Sequence, residues 1–509
     1  MATLNFKGKT FIQNHHLSVK YHQLIPKKDK SLTDKVSLND NLIIHGDNLI
    51  ALKALLPTYA GKVKCIYIDP PYNTGNEKWI YNDNVNSPMM QEWLGKIVDK
   101  EDFTRHDKWL CMMMPRLKLL KELLRDDGGI FISIDYNEEA HLRSLMDEIY
   151  GEDNYRNTFV VSRVKKNIQE REKVRTVNFG YDSVLFYAKS DACLIDPPKR
   201  AHKKAERWHA FDAPGIRPTM EYELFGKRPP KGRHWMYEED KAKEMIKQGA
   251  LRKNPKTNSI QYLLKASEFT LLDTNWTDIQ EYDSKWNFPY GEKNVDLIKR
   301  IIKMVDEPNA VILDSFAGSG TTAHAVLALN AEDGGNRKFI LVECEDYADK
   351  ITAERVRRVI KGVKTAKDEK LKKGLGGTFS YFELGPPIEM ESILEGKKLP
   401  DYMELARYIF YTATGEEFNT SKVKQGKNFI GETKDYEVYL FYEPDIEKLK
   451  KLALTLDTAK KLGEYKGKKR LVFAPAKYLD LNDADLIEKH GLKGIEYCQL
   501  PFEIYKLRG

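Results

Sequence analysis

Short apolar runs of β-forming residues alternate with segments of helical periodicity in two parts of the chain. In residues 42–186 the runs are LIIH (42–45), VKCIYID (63–69), GIFISID (129–135) and SVLFYAK (183–189). Residues 288–358 predict helix, strand, helix, strand and helix, from VDLIKRIIKMV to ADKITAERVRRVI. This alternation is typical of a parallel sheet with helices on its faces, so an α/β fold is predicted.

One long amphipathic helix is predicted between the second and third runs, over WLCMMMPRLKLLKELL. Proline removes a backbone donor and crowds the preceding turn, so Pro115 is expected to kink or restart this helix. The Asp-Asp-Gly-Gly sequence at 126–129 is expected to end it.

The alternation breaks between about residue 190 and residue 284, where prolines are frequent and periodicity is weak. This segment is predicted to be an insertion between two halves of one sheet. After a lysine-rich stretch at 361–377, EVYLFYE and RLVFAP predict strands and IEKLKKLALTL predicts a helix. A separate small carboxy-terminal α/β domain is therefore expected.

Length and composition narrow the class of protein. A chain of 509 residues exceeds what one hydrophobic core usually organises, so two or three domains are expected. It has neither an apolar run of roughly 20 residues nor a signal peptide, which predicts a soluble cytoplasmic protein without a membrane partner. The five cysteines form no C-x-x-C pair and no G-x-x-x-x-G-K-[ST] motif occurs. Neither a metal site nor ATP hydrolysis is predicted.

The net charge of the chain is only a weak indication of nucleic-acid binding, because +7 is modest for this length. A local cluster is more informative: basic residues are followed directly by Trp208, His209 and Phe211, a mixture that suits phosphate contacts and base stacking. A solvated lysine-rich surface is the alternative. The candidate DNA-binding residues are Lys199, Arg200, Lys203, Lys204, Arg207 and, in the PPKGRHW turn, Arg233.

The candidate catalytic turn is Asp69-Pro70-Pro71-Tyr72, directly after an apolar strand. Open α/β sheets bind ligands at the carboxyl ends of their strands. The Asp69 carboxylate and the Pro70 carbonyl could accept hydrogen bonds from both hydrogens of an aryl amine and make its nitrogen nucleophilic, while Tyr72 stacks on an extruded base. A plain strand-terminating turn remains the alternative for this motif.

A glycine-containing loop follows the strand AVIL and opens a helix, as expected for a nucleotide-type cofactor. Its glycines permit close approach of a ligand, and free N–H groups at the helix start can hold a carboxylate. Glu343 closes the next strand, where it would accept hydrogen bonds from ribose hydroxyls. The candidate cofactor residues are Asp314, Phe316, Ala317, Gly318, Ser319, Gly320, Thr321, Thr322 and Glu343.

The chain resembles the modification subunits of type III restriction-modification systems, which are β-class amino-methyltransferases. The likeness rests on IIHGDNLIALKALL (43–56), YIDPPYNTGN (67–76), HDKWLCMMMPRLKLLKELL (106–124), PPKGRHW (229–235), LDSFAGSGTTAHAVL (313–327), TAERVRRVI (352–360) and LARYIFYTATGEE (405–417).

This resemblance implies a Rossmann-like class I methyltransferase sheet in permuted motif order and S-adenosylmethionine as cofactor. In that family the motif Asp-Pro-Pro-Tyr indicates adenine N6 as the usual target. Enzymes that methylate cytosine N4 more often have serine in place of the aspartate at the first position of this motif. Asp47 would contact the cofactor adenine, and Phe288 and Lys293 would belong to the flanking segment. The partners implied are double-stranded DNA, a second copy of the chain and a separate ATP-dependent restriction subunit.

Together these observations predict five segments. They are an amino-terminal arm (1–39), a catalytic half of the methyltransferase core (40–189), a target-recognition insertion (190–284), a cofactor half (285–384) and an assembly domain (385–509). Two rival functions remain: methylation of RNA or of a protein amide, and a DNA-specificity module that has lost catalysis.

Overall fold

The largest element of the fold is a ten-stranded mixed sheet. The computed structural model describes residues 4–73, 104–163, 177, 179–283, 292–305, 307–388, 399–481 and 483–500. In spatial order the strands are His22–Pro26, Ser380–Pro387, Leu42–His45, Lys338–Glu343, Val311–Asp314, Val63–Ile68, Leu124–Ile134, Tyr181–Ala188, Tyr155–Ser162 and Asn275–Gln280.

The strands from Ser380–Pro387 to Leu124–Ile134 in this order run parallel, and antiparallel strands follow on both sides. Val63–Ile68 is buried at every position, as expected for a strand covered on both faces. The prediction of an α/β fold is confirmed.

Helices cover both faces of this sheet. Even-numbered residues of the Val63–Ile68 strand such as Ile66 pack on one face, and Cys65 and Tyr67 pack on the other. One face is covered by the helices Asn48–Tyr59, Arg105–Leu123 and Glu139–Tyr150, and the other by Val295–Met304, Thr321–Asp333 and Glu354–Lys361.

The structure differs from the predicted helices in three details. Pro115 lies inside a single helix, Arg105–Leu123, and does not restart it. This helix ends before residues 126–129, because Leu124 is already extended and begins the strand Leu124–Ile134. The helix predicted over residues 446–456 is two short helices, Ile446–Leu449 and Leu456–Lys460, since Thr455 caps the start of the second.

Residues Pro197–Asp273 form a compact unit of their own. Its core contains Phe211, Trp235 and Ile260. The unit consists of the strands Lys199–Lys204, Arg207–Ala210, Asp212–Pro214, Arg233–Trp235, Leu251–Lys253, Ile260–Leu264 and Ser267–Leu271 and the helix Glu239–Lys247. Its bounds are narrower than the predicted insertion, because Asn275–Gln280 joins the large sheet beside Tyr155–Ser162.

The carboxy-terminal region belongs to the larger unit and carries a four-stranded sheet. Its helix Tyr402–Thr414 packs against Asn48–Tyr59, and Tyr411 is buried in the core of the large sheet. The strands are Phe429–Glu432, Tyr436–Leu440, Lys469–Ala474 and Ile495–Gln499, and a further helix is Ala484–Lys489. Among the helices that the structure describes, none has the length and apolar character needed to cross a membrane.

Candidate active site

Four neighbouring parallel strands bring the sequence motifs to one edge of the sheet. The catalytic turn follows Val63–Ile68, and the glycine loop follows the adjacent strand Val311–Asp314. Glu343 ends the next strand, and Asp47 follows the strand beyond it. Carboxyl ends of parallel strands meet at the same edge, which is where ligands bind in open α/β sheets.

A hydrogen bond from Trp109 stabilises the turn at Asp69–Tyr72. The indole Nε1 of this fully buried side chain donates to the Pro71 carbonyl at 2.7 Å. The next residue, Asn73, is buried and adopts a left-handed conformation with φ of 55°, which asparagine tolerates better than most residues. Its Nδ2 atom donates to Glu138 and, at 3.2 Å, to the carbonyl of Arg105.

A buried lysine lies against the catalytic aspartate. Lys293 Nζ is 3.1 Å from Asp69 Oδ1, donates to the Tyr72 hydroxyl at 2.6 Å and forms an ion pair with Glu281. The Tyr72 hydroxyl donates to the same Glu281 carboxylate at 2.7 Å. Asp182 hydrogen bonds with Glu281 and forms an ion pair with Arg163 at 3.4 Å.

Burial and neighbouring charges shift the pKa values of Asp69 and Lys293 in opposite directions. Burial raises the pKa of Asp69, and the neighbouring Lys293 ammonium opposes that rise. Burial alone would lower the pKa of Lys293, but the Asp69 and Glu281 carboxylates raise it well above its usual value. Burial and the bond to Glu281 raise the pKa of Asp182. The lysine therefore keeps its charge and favours the ionised form of Asp69.

Hydrogen bonds with neighbouring side chains hold the glycine loop in its conformation. Gly318 donates its N–H to Glu343 Oε2 at 2.7 Å, and its carbonyl accepts from Thr352 Oγ1 at 2.6 Å. Arg355 donates to the hydroxyls of Ser319 and Thr321 at 2.7 and 2.8 Å. The loop conformation is thus imposed by side chains from the next strand and from the helix beyond it.

Two carboxyl groups of this loop region are buried and bonded. Asp314 accepts from the Phe316 N–H and from the Thr322 hydroxyl, and burial raises its pKa to about 7. Burial likewise raises the pKa of Glu343 to about 7, against the hydrogen bonds that it accepts from the Glu345 and Gly318 N–H groups. A ribose contact by Glu343 would have to share its carboxylate with these donors and stays a prediction.

Asp47 caps the helix Asn48–Tyr59, accepting from the N–H groups of Leu49 and Ile50 at 2.9 and 3.2 Å. Arg116, fully buried beside Pro115, donates to Asp47 Oδ2 at 3.2 Å and also to Asn48 Oδ1. Asn48 Nδ2 in turn donates to the Ser315 carbonyl at 2.9 Å. This chain of bonds connects Asp47 to the backbone of the glycine loop.

The candidate DNA-binding residues all lie in the unit Pro197–Asp273. Lys199, Arg200 and Lys203 are exposed on the strand Lys199–Lys204, Lys204 is partly buried at its end, and Arg207 is exposed at the start of the next strand. Arg233 is less available, since its guanidinium forms an ion pair with Asp212. Their role in DNA binding stays a prediction.

Sequence patterns identify some residues of the site without their contacts and miss others. Lys293, which the resemblance places in the segment that flanks the cofactor adenine, contacts Asp69. Glu281, which lies in the predicted insertion, bonds to Lys293 and Tyr72. Trp109 and Arg355 lie within the motifs at 106–124 and 352–360, which could have indicated them. Glu281 and Asp182 lie in no motif. Phe288 lies outside the described residues.

Comparisons with known proteins agree with the motifs. Residues 63–354 match the DNA methylase family. The StyLTI Mod subunit of a type III restriction-modification enzyme from Salmonella typhimurium (strain LT2) is 30% identical over 439 residues, which cover 76% of this chain and 66% of that subunit. The type II methyltransferase M.KpnI from Klebsiella pneumoniae is 33% identical over 360 residues, which cover 62% of this chain and 82% of the relative.

Among solved structures, the complex of M1.HpyAVI with SAM is similar over 62% of this chain and 98% of its own, at 16% identity and a TM-score of 0.32. The resemblance to type III modification subunits is confirmed by the relatives, and the family match spans more than half of the residues. The chain belongs to the DNA methylase family.

Proposed function

We propose that the chain transfers a methyl group from S-adenosylmethionine to N6 of adenine in double-stranded DNA. One observation carries the proposal: the Asp69–Tyr72 turn and the glycine loop follow two adjacent parallel strands, Val63–Ile68 and Val311–Asp314. A base bound at the turn and a cofactor bound at the loop would therefore be neighbours.

The residues of the loop fit S-adenosylmethionine. Gly318 has φ of 51°, and a Cβ added there would meet no heavy atom closer than 4.0 Å, so the loop presents bare backbone to open space. The loop is followed by the helix Thr321–Asp333, whose amino terminus favours a carboxylate. The cofactor supplies an electrophilic methyl group on a sulfonium sulfur.

The turn supplies what an exocyclic aryl amine needs in order to react. The amine lone pair is delocalised into the ring, and hydrogen bonds to the Asp69 carboxylate and the Pro70 carbonyl favour a tetrahedral nitrogen as the bond to carbon forms. The Lys293 ammonium group favours the ionised form of Asp69, which is the form that accepts both hydrogen bonds. Tyr72 provides the ring on which an extruded base stacks, and base extrusion costs a few kcal/mol.

Aspartate as the first residue of the turn supports adenine N6, because cytosine N4 enzymes of the resembled family more often have serine there. The unit Pro197–Asp273 is proposed to read the DNA sequence, with its exposed cations on phosphates. The similarity to Mod subunits supports membership of a type III system, with a homodimer of this chain and a separate ATP-dependent restriction subunit as partners.

Methylation mapping at base resolution tests the proposal. DNA from cells that express the parent chain should carry N6-methyladenine at one short sequence, and DNA from cells that express Asp69→Ala should not. Methylation of cytosine N4 instead would contradict the base assignment, and unmodified DNA in both samples would favour a specificity module without catalysis. Methyl transfer to RNA or protein but not to DNA by the purified parent would support the remaining rival.

A further inference from the structure

Two histidines and a buried glutamate meet beside the catalytic turn. His106 lies in the first turn of the helix Arg105–Leu123, and Glu138 and His141 lie at the start of the helix Glu139–Tyr150. One ligating atom from each of the three side chains lies within 4.8 Å of the other two. His106 Nδ1 is 2.7 Å from Glu138 Oε1, and His141 Nδ1 is 3.0 Å from Glu138 Oε2.

Glu138 is a fully buried carboxylate between two partly exposed histidines. Its side chain is 0% exposed, yet the two histidines are about one third exposed, so the cluster opens to solvent on the histidine side. Within the described part of the chain, Glu138 Oε2 and His141 Nδ1 make no hydrogen bond of acceptable geometry, although they are close. A buried carboxylate oxygen without a donor is costly, and a cation between the two atoms would remove that cost.

We propose that His106, Glu138 and His141 bind one divalent transition-metal ion of the zinc class. Two imidazole nitrogens and one carboxylate oxygen are a ligand set that suits such ions, whereas Mg²⁺ and Ca²⁺ prefer oxygen alone. Bonds of 2.0–2.2 Å in a tetrahedral site separate ligand atoms by about 3.3 Å, which lies within the range of separations found here. Three protein ligands leave one position for water.

This ion also fixes the catalytic turn. Asn73, directly after Tyr72, donates its Nδ2 hydrogen to Glu138 Oε1, so the metal-bound carboxylate orients the left-handed residue that ends the turn. The site therefore connects two helix starts to the Asp69–Tyr72 segment.

Metal content measures the site without any reference to methyl transfer. The purified full chain is dialysed against a chelator, then against zinc chloride at low micromolar concentration, and the bound zinc is counted by mass spectrometry. The parent should retain about one more ion per chain than Glu138→Gln or His141→Ala. His202→Ala, which removes an exposed histidine of the unit Pro197–Asp273, should retain as much zinc as the parent.

Two further readouts separate binding from misfolding. Cobalt chloride should give the parent a visible absorption band that His141→Ala lacks, and zinc should raise the melting temperature of the parent but not that of His141→Ala. His141 is partly exposed, so its variant is expected to fold. Equal zinc content in the parent and in both cluster variants, or zinc lost equally from His202→Ala, would overturn the proposal.

Discussion

Lys293 Nζ lies 3.1 Å from Asp69 Oδ1, although 224 positions separate the two residues along the chain. The lysine side chain is 6% exposed, and its ammonium group also contacts Glu281 and Tyr72. Its charge opposes the effect of burial on Asp69, which would otherwise favour a protonated acid. The ion pair therefore favours the ionised form of the catalytic carboxylate, which is the form that accepts hydrogen bonds.

Lys293→Met should move the acidic limb of the pH profile for methyl transfer to higher pH. Without the ammonium group, burial and the Glu281 charge raise the pKa of Asp69 further, so a higher pH is needed to ionise it. Single-turnover rates measured as a function of pH test this. Lys299→Met is the control: it removes an ion pair with Glu332 and should not change the position of the acidic limb. Coinciding profiles for the parent and Lys293→Met would contradict the role assigned to the lysine.

Tyr72→Phe and Tyr72→Ala should have different effects. The phenylalanine variant keeps the ring and loses the hydroxyl that bonds Glu281 and Lys293, so base binding should survive while the pH profile changes. The alanine variant also loses stacking worth roughly 1 to 3 kcal/mol per base. Binding to DNA that carries the target site, together with turnover, distinguishes them. Equal loss of DNA affinity in both variants would mean that the hydroxyl, and not the ring, holds the base.

Gly318→Ala and Gly320→Ala separate ligand binding from folding. Both glycines have positive φ, so alanine costs roughly 1 to 2 kcal/mol at either position. A Cβ at Gly318 points into open space where the cofactor is proposed to bind, whereas at Gly320 it meets the Thr352 carbonyl at 3.2 Å. Calorimetry should show weaker S-adenosylmethionine binding for Gly318→Ala, and melting should show the larger loss of stability for Gly320→Ala. Unchanged cofactor affinity in Gly318→Ala would place the ligand elsewhere.

Reversing the charges of Lys203 and Lys204 should weaken DNA binding and flatten its dependence on salt. If each lysine neutralises one phosphate, the slope of log affinity against log salt should fall in magnitude by about 1.8. Fluorescence anisotropy at several salt concentrations measures it. The exposed Lys450→Glu in the carboxy-terminal region is the charge control. Equal slopes of log affinity against log salt for the parent and the double variant would indicate that both lysines are exposed to solvent without contacting phosphates.

Asp314→Asn should change how stability depends on pH. The pKa of Asp314 is about 7 in the folded chain because it is buried, and an exposed aspartate titrates near 4. The folded state therefore binds the proton more tightly, and this contribution to the free energy of unfolding is complete below about pH 4 and lost as pH rises through 7. Urea unfolding from pH 4 to 8 should show a shallower decline for Asp314→Asn than for the parent. The exposed Asp346→Asn should decline as the parent does.

The sequence by itself determined the α/β class, the catalytic turn and the glycine loop. Runs such as VKCIYID and AVILD are mostly apolar and rich in β-forming residues, so burial on both faces follows from local composition, and the motifs lie at the ends of these runs. The chemistry of Asp69 and Tyr72 could be inferred because a strand end, a proline pair and an aromatic residue are local features. The family could be inferred for the same reason.

Only the tertiary structure decided which strands are neighbours and which distant side chains meet. Glu281 and Asp182 lie in no motif. Glu281 contacts Lys293, and Asp182 lies near Glu281, because the strands Tyr155–Ser162, Tyr181–Ala188 and Asn275–Gln280 are adjacent. The cluster of His106, Glu138 and His141 likewise depends on the packing of two helix starts, since His106 and Glu138 are 32 positions apart along the chain. Such contacts depend on the order of strands and on helix packing, and a periodicity measured along the chain carries no information about either.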